Sequence, residues 1–256
     1  MSSQEVRPFT PLLRRVVEQL TSPFLSSEVI TGEEDGMKKF EQLLLEGYGG
    51  IILLKHFSLR DPFQIIRDTL RRKALIRRKA LAPMALHQVY PLLIGAAGML
   101  EIKIDLIATD NTVNKFIEKG KTPPSPNEGL RGFTADAIGM LRQGGILYIA
   151  PEGERKDHLE QYSNRTIGTL LAELKRARLS NVAFLFVDMR LSGREENYWG
   201  EKGLNLLDTY ETRIGRALTL DQVMEMAGGE FGNVDSDVIF PEMRKTAAIQ
   251  RPRRDR

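Results

Sequence analysis

Gly47-Tyr48-Gly49-Gly50-Ile51-Ile52-Leu53-Leu54-Lys55-His56 is the stretch that decides the fold. Four consecutive apolar residues leave no side for water, unlike the alternation of a strand with one wet face. Such a run belongs to a strand covered on both faces, the arrangement of a parallel sheet between two layers of helix. The glycines ahead of it close an expected helix over about Asp35 to Glu46.

Working outward, the pattern recurs. Helices are expected from Pro62 to about Lys79, through the apolar stretch to Ile94, from Glu128 to Arg142, and from Thr166 to Arg178. Strands are expected near Met99 to Ile107, over Ile146 to Ala150, and over Val182 to Leu191. Strands that alternate with helices are the mark of βαβ units, so the expected fold is α/β: a mixed, mostly parallel sheet with helices on both faces. Leu12, Leu13, Val16, Val17 and Leu20 recur at helical spacing, which places an N-terminal amphipathic helix before it. The expected organisation is a helical segment over 1–27, a main domain over 28–245 and a basic tail over 246–256. Within the main domain, residues 108–126 turn polar and proline-rich, which reads as an insertion or lid.

The bulk numbers exclude several classes. With 256 residues and 41% hydrophobic content the chain can bury a large core. Its net charge of +3 is not that of a polycation, and it lacks the interleaved aromatics of single-strand readers, so no nucleic-acid partner is expected. No cysteine means no disulfide framework and no cysteine nucleophile. Met1 to Thr10 has no features of an export signal, and Ala82 to Leu100 is short and interrupted for a membrane span, so a cytoplasmic location is expected. No GxxxxGK[ST], GxSxG, HExxH or GxGxxG pattern occurs.

The chemistry-bearing candidates sit after two of the apolar runs. His56 follows Ile51 to Leu54, at the carboxyl end of a strand, where open α/β sheets place their sites. Asp61, five residues on and just before Pro62, can cap a helix or hold one imidazole nitrogen and leave the other to take a proton from a hydroxyl. Pro151-Glu152-Gly153-Glu154-Arg155 follows Ile146 to Ala150: Gly153 permits close backbone approach, Arg155 offers a fork to a phosphate, and Glu152 accepts hydrogen bonds. Each motif alone is also what an ordinary strand-to-helix turn contains.

Together, Lys55-His56-Phe57-Ser58-Leu59-Arg60-Asp61 and Ala150-Pro151-Glu152-Gly153-Glu154-Arg155 resemble the NHxSxxD and FPEGTR motifs of the glycerophospholipid acyltransferase family, the PlsC-like or lysophosphatidate acyltransferase family. Arg78-Lys79-Ala80-Leu81 resembles the basic segment that precedes its acceptor-binding strand, and Thr212 to Leu218 its closing strand. The likeness spans roughly residues 28–225. The chain departs from the family at Lys55, Ala150 and Glu154, and where the family has a phosphate-binding arginine two registers offer a lysine, Lys103 or Lys119.

The resemblance implies an O-acyltransferase of the 1-acylglycerol-3-phosphate acyltransferase type. His56 would be the general base oriented by Asp61, and the substrate-binding residues would be Glu152, Gly153, Arg155, Lys103 and Lys119. The donor would be acyl-CoA or acyl-carrier protein, the acceptor a lyso-phospholipid, with no metal and no further cofactor. Lipid acceptors imply peripheral contact with the inner face of the membrane, for which the Leu12 to Leu20 helix and the basic run Arg67 to Lys79 are the candidates. Two alternatives stay open: a catalytically inactive lipid-binding relative, and a thioester hydrolase in which His56 activates water.

Overall fold

The computed structural model describes residues 27–32, 35–55, 78–85, 97–98, 102–108, 110–123, 126–151, 166–191 and 210–250. The apolar run forms a strand, Gly49–Leu54, buried at every position. In chain order the strands are β1 (Ser27–Thr31), β2 (Gly49–Leu54), β3 (Ala80–Ala85), β4 (Ile102–Ile107), β5 (Ile146–Ile149), β6 (Val182–Leu191) and β7 (Tyr210–Thr219). They form one seven-stranded sheet in the order β1-β7-β6-β2-β5-β3-β4, with β2 at its centre. The block from β6 to β4 is parallel throughout. Against it, β7 pairs antiparallel with β6, and β1 runs parallel to β7. The sheet is therefore mixed and mostly parallel.

The helices are α1 (Gly36–Leu45), α2 (Asp110–Glu118), α3 (Pro126–Arg142), α4 (Thr166–Arg176), α5 (Leu220–Met226) and α6 (Phe240–Ala247). A 3₁₀ turn, Phe231–Asn233, and a π-helical turn, Asp235–Ile239, lie between the last two. Successive residues of a strand point to opposite faces, and both faces here are covered. Ile52 and Leu54 join Met37, Phe40 and Leu44 of α1 in one cluster. Ile51 and Leu53 join Phe133 and Leu141 of α3 and Leu171 and Leu174 of α4 in the other. Each fully buried aliphatic side chain of β2 stabilises the fold by about 2 kcal/mol, which explains why the run tolerates no polar residue.

Two segments differ from the sequence expectation. Ala80 to Ala85 is read as the helical run flanking Lys79, yet it forms β3, paired with β4 along its length. Its pairing with β5 stops at Leu81 opposite Leu147. The cause is local. The Ile146 amide donates to the Lys79 carbonyl at 2.9 Å, so the odd-numbered residues of β3 turn their backbone groups towards β5. The next donor in that series after Leu81 falls at Pro83, which has no N–H. The second difference lies in the polar stretch after Ile107, where no helix is expected from the sequence: Asp110–Glu118 form α2. The N-terminal amphipathic helix, the helix from Pro62, most of the basic run and residues 251–256 lie outside the described residues. Among the described residues, no helix is long and apolar enough to cross a membrane.

Arg78, just ahead of β3, donates to the Leu44 carbonyl at the end of α1 and to the Gly144 carbonyl in the turn after α3. A guanidinium there meets the negative end of both helix dipoles, and it shares the Leu44 carbonyl with the Gly47 amide, which donates to it at 3.1 Å. The basic segment before β3 thus contributes at least one clamp at the amino edge of the sheet.

β7 passes between α1 and α6 at Gly215. A Cβ on Gly36 would lie 1.9 Å from the Gly215 carbonyl oxygen, and one on Gly215 would lie 2.1 Å from Thr246 Oγ1. Thr246 is buried and donates to the Glu242 carbonyl at 2.8 Å, so it has little room to yield. Gly215→Ala is expected to destabilise the protein by about 3 kcal/mol. Chemical denaturation checks it, and a change below about 0.5 kcal/mol would contradict this account of the close approach.

Candidate functional site

In the parallel block every strand ends on the same edge, and ligands of open α/β sheets bind in the crevice beyond those carboxyl ends. β2 and β5 are neighbours, with Leu53 opposite Ile149. Extending that register by two residues brings Lys55 level with Pro151. The chain leaves one strand at Lys55, immediately before His56, and the other at Pro151, immediately before Glu152. The two motifs singled out by sequence thus begin side by side at the centre of the sheet, about 5 Å apart across the ladder. His56, Asp61, Glu152, Gly153 and Arg155 themselves lie outside the described residues.

Lys103 and Lys119 are described. Lys103 is the second residue of β4 and pairs with Leu81. Leu81 in turn pairs with Leu147, two residues short of the end of β5, so Lys103 lies inward of the strand ends. Its ammonium is held by Asp136 of α3 and by Asp105 at 3.1 Å. The bond to Asp136 raises the Lys103 pKa above its ordinary value, against a smaller opposing effect of burial. Burial raises the Asp105 carboxyl in turn, with Lys103 pulling it back down. The trio carries one cation and two acids, a poor receptor for a phosphate dianion unless Asp136 is displaced. Lys119 follows the last residue of α2 and is exposed. The structure therefore brings Lys103 to two carboxylates and away from the edge.

Sequence reasoning passed over a second group of polar residues. Asp188, Glu211 and Thr212 are 2%, 4% and 2% exposed. They lie in the carboxyl half of β6 and the amino half of β7, which meet at the same edge as Lys55 because β7 runs antiparallel. Arg213 stands opposite Asp188 in the ladder. Its guanidinium donates to Glu211 Oε2 at 3.0 Å and to the Ala247 carbonyl of α6. The signal was in the sequence: Asp188 directly follows the unbroken apolar run Val182-Ala183-Phe184-Leu185-Phe186-Val187.

The segment that begins at Glu152 re-enters the described structure at Thr166, the start of α4. That helix start is pinned from a distance. Asp235 accepts from the Ile167 amide at 3.1 Å and from the Gly168 amide at 2.7 Å, and it is itself buried. A Cβ on Gly168 would lie 2.1 Å from the Phe231 carbonyl oxygen, so the contact requires glycine. One carboxylate thereby satisfies two of the four orphan amides of α4.

Burial pushes the Asp235 carboxyl above its ordinary value of 3.8, although the Gly168 and Ile167 amides pull it down. A carboxyl raised in the folded state contributes stability that is present below its unfolded pKa and is lost as pH rises through its folded one. Relative to Asp235→Asn, the wild type is therefore expected to lose stability as pH climbs from 3.8. Denaturation of both proteins at stepped pH checks this, and a difference that stays level or widens in favour of the wild type would refute it.

No protein-family model matches the chain, and no curated protein matches it.

Proposed function

We propose that this chain is an O-acyltransferase that moves a fatty acyl group from a thioester carrier to the hydroxyl of a lyso-phospholipid such as 1-acylglycerol-3-phosphate. His56 takes the hydroxyl proton, with Asp61 holding the imidazole. The freed oxygen attacks the thioester carbonyl, and collapse of the tetrahedral intermediate breaks the C–S bond. The departing thiolate takes the proton back from His56. Glu152 and Arg155 meet the acceptor, and Arg155 is assigned its phosphate because Lys103 is already held by Asp105 and Asp136.

One observation carries the reading: β2 and β5 are adjacent, parallel and central, so the stems of both motifs, Lys55 and Pro151, stand level at one edge. Two motifs of a single active site must share a cleft, and stems on opposite edges would have ended the argument. Peripheral contact with an anionic membrane surface belongs to the same proposal, since the acceptor resides in a bilayer.

The test is acyl transfer from labelled acyl-CoA or acyl-carrier protein to a set of lyso-phospholipids. His56→Ala is expected to lower kcat/KM by about 10²- to 10⁴-fold, the usual contribution of a positioned base, while remaining folded. Equal rates for the two proteins would sink the mechanism. Free fatty acid as the sole product would make the chain a thioester hydrolase, and liposome binding without turnover would make it an inactive lipid-binding relative.

A further inference from the structure

β4 closes the sheet at one end, and among the described residues no strand pairs with its outer side. Which of its backbone groups point outward follows from the ladders behind it. The Ile146 amide donates to the Lys79 carbonyl, so Lys79 and Leu81 turn their backbone groups to β5, and Ala80, Ala82 and Met84 turn theirs to β4. In each couple of a parallel ladder only one residue bonds to the other strand. Ala80 stands opposite Ile102, Ala82 opposite Ile104 and Met84 opposite Leu106, so the N–H and C=O groups of Ile102, Ile104 and Leu106 are aimed away from the sheet. An unpaired row of this kind is a template for a further strand.

The side chains of this edge alternate in a self-complementary way. Lys103 and Asp105 share the face covered by α3, where Asp136 and Asp105 hold the Lys103 ammonium. Ile102 and Ile104 belong to the core on the other face, and Leu106, which shares that face by alternation, is 40% exposed. A lysine on an edge strand ordinarily keeps a second strand away. Here its charge is already matched on its own strand, and the acid two residues on inverts the pattern. Turned about a two-fold axis at Ile104, the strand sets Lys103 of one copy against Asp105 of the other, Ile104 against Ile104, and Leu106 against Ile102. The apolar couples are those whose backbone groups face outward, so each exchanges N–H···O bonds, and the charged couples fall at the narrow positions, with Cα atoms about 4.5 Å apart. Sliding one strand by two residues keeps the bonding pattern but opposes Lys103 to Lys103 or Asp105 to Asp105, which is destabilising. Sliding it by one residue opposes backbone groups that face different ways.

We propose that β4 is a homodimer interface, in which a second copy of this chain continues the sheet antiparallel through Ile102, Ile104 and Leu106, with Lys103 and Asp105 paired across the axis in both directions. The charge pattern selects the occupant, because it is complementary to itself in the one register that also satisfies the backbone. The shared edge is six residues long on each side, well short of the roughly 1,200 Å² that a stable complex buries, so the dimer is weak and exchanges with monomer. The carboxyl edges of the two sheets point in opposite directions, and nothing in the pairing depends on the acyltransferase reading.

The experiment is sedimentation equilibrium of the full-length protein from about 1 to about 500 µM, which brackets a weak association. Monomer is expected at the low end and a growing share of dimer at the high end. Ile104→Pro removes the outward amide at the axis without costing β3 a bond, and Lys103→Asp and Asp105→Lys each set like charges across it. All three variants are expected to stay monomeric at the high end. An equimolar mixture of the two charge variants is expected to associate at least about tenfold more tightly than either alone, since each then meets its opposite. Association that persists in both charge variants overturns the proposal, as do a wild type that is monomeric throughout and an assembly that grows past two copies. Should the variants fail to fold, the wild type still decides. The amides of Ile102, Ile104 and Leu106 are expected to exchange with solvent more slowly at the high concentration than at the low one, and equal rates overturn the interface.

Discussion

The parallel ladder on both sides of β2 is the constraint on which the rest of the structure depends. Six consecutive residues are buried and away from water, so each backbone N–H and C=O must find its partner in β5 or β6. A one-residue slip would reverse which side chains meet α1 and which meet α3 and α4. Register is therefore fixed by packing on two faces at once. Because the register is fixed, so are the heights at which Lys55, Pro151 and Asp188 leave the apolar interior.

Legibility followed the strength of the local pattern. Val182 to Leu191 forms a strand over the bounds its composition gives, and Ile146 to Ala150 ends one residue earlier than read. Both are apolar runs rich in β-branched or aromatic side chains. β3 was misread because Ala80, Leu81, Ala82, Met84 and Ala85 are good helix formers, and only the vacancy beside β5 and the partner strand β4 make that segment extended. α2 is not legible for the opposite reason: Asp110, Asn111 and Thr112 suit a turn as well as a helix start, and the prolines that follow mark the whole stretch as an insertion. The C-terminal helices α5 and α6 and the edge strand β1 are short; the Thr219 to Gln222 capping box that starts α5 and the proline in the first turn of α6 are the sequence signals that could have found the helices.

The candidate site divides in the same way. Spacing along the chain could nominate His56 with Asp61 and Glu152 with Arg155, because those partners lie within a few residues of one another. It could not see that Lys103 meets Asp136, 33 residues away, which changes a candidate phosphate ligand into one member of an ion-pair trio. Nor could it see Asp188 beside Lys55. Both facts are cross-strand or strand-to-helix contacts whose existence depends on register, and register is a property of the whole sheet.

The two edges of the sheet also differ in electrostatic character, and this limits how an anionic acceptor could be held. In a parallel block the connecting helices begin near the carboxyl edge, so their amide ends, which favour anions, gather there. At the opposite edge Arg78 binds carbonyls at the ends of α1 and α3. A phosphate would ordinarily seek a helix start such as that of α4, which follows the Glu152 segment. That position is taken, since Asp235 already holds its second and third amides and brings its own negative charge. With the start of α4 taken by Asp235 and Lys103 held between two acids, the proposed acceptor phosphate would have to be met by another cation. In the proposed reaction that requirement falls on Arg155.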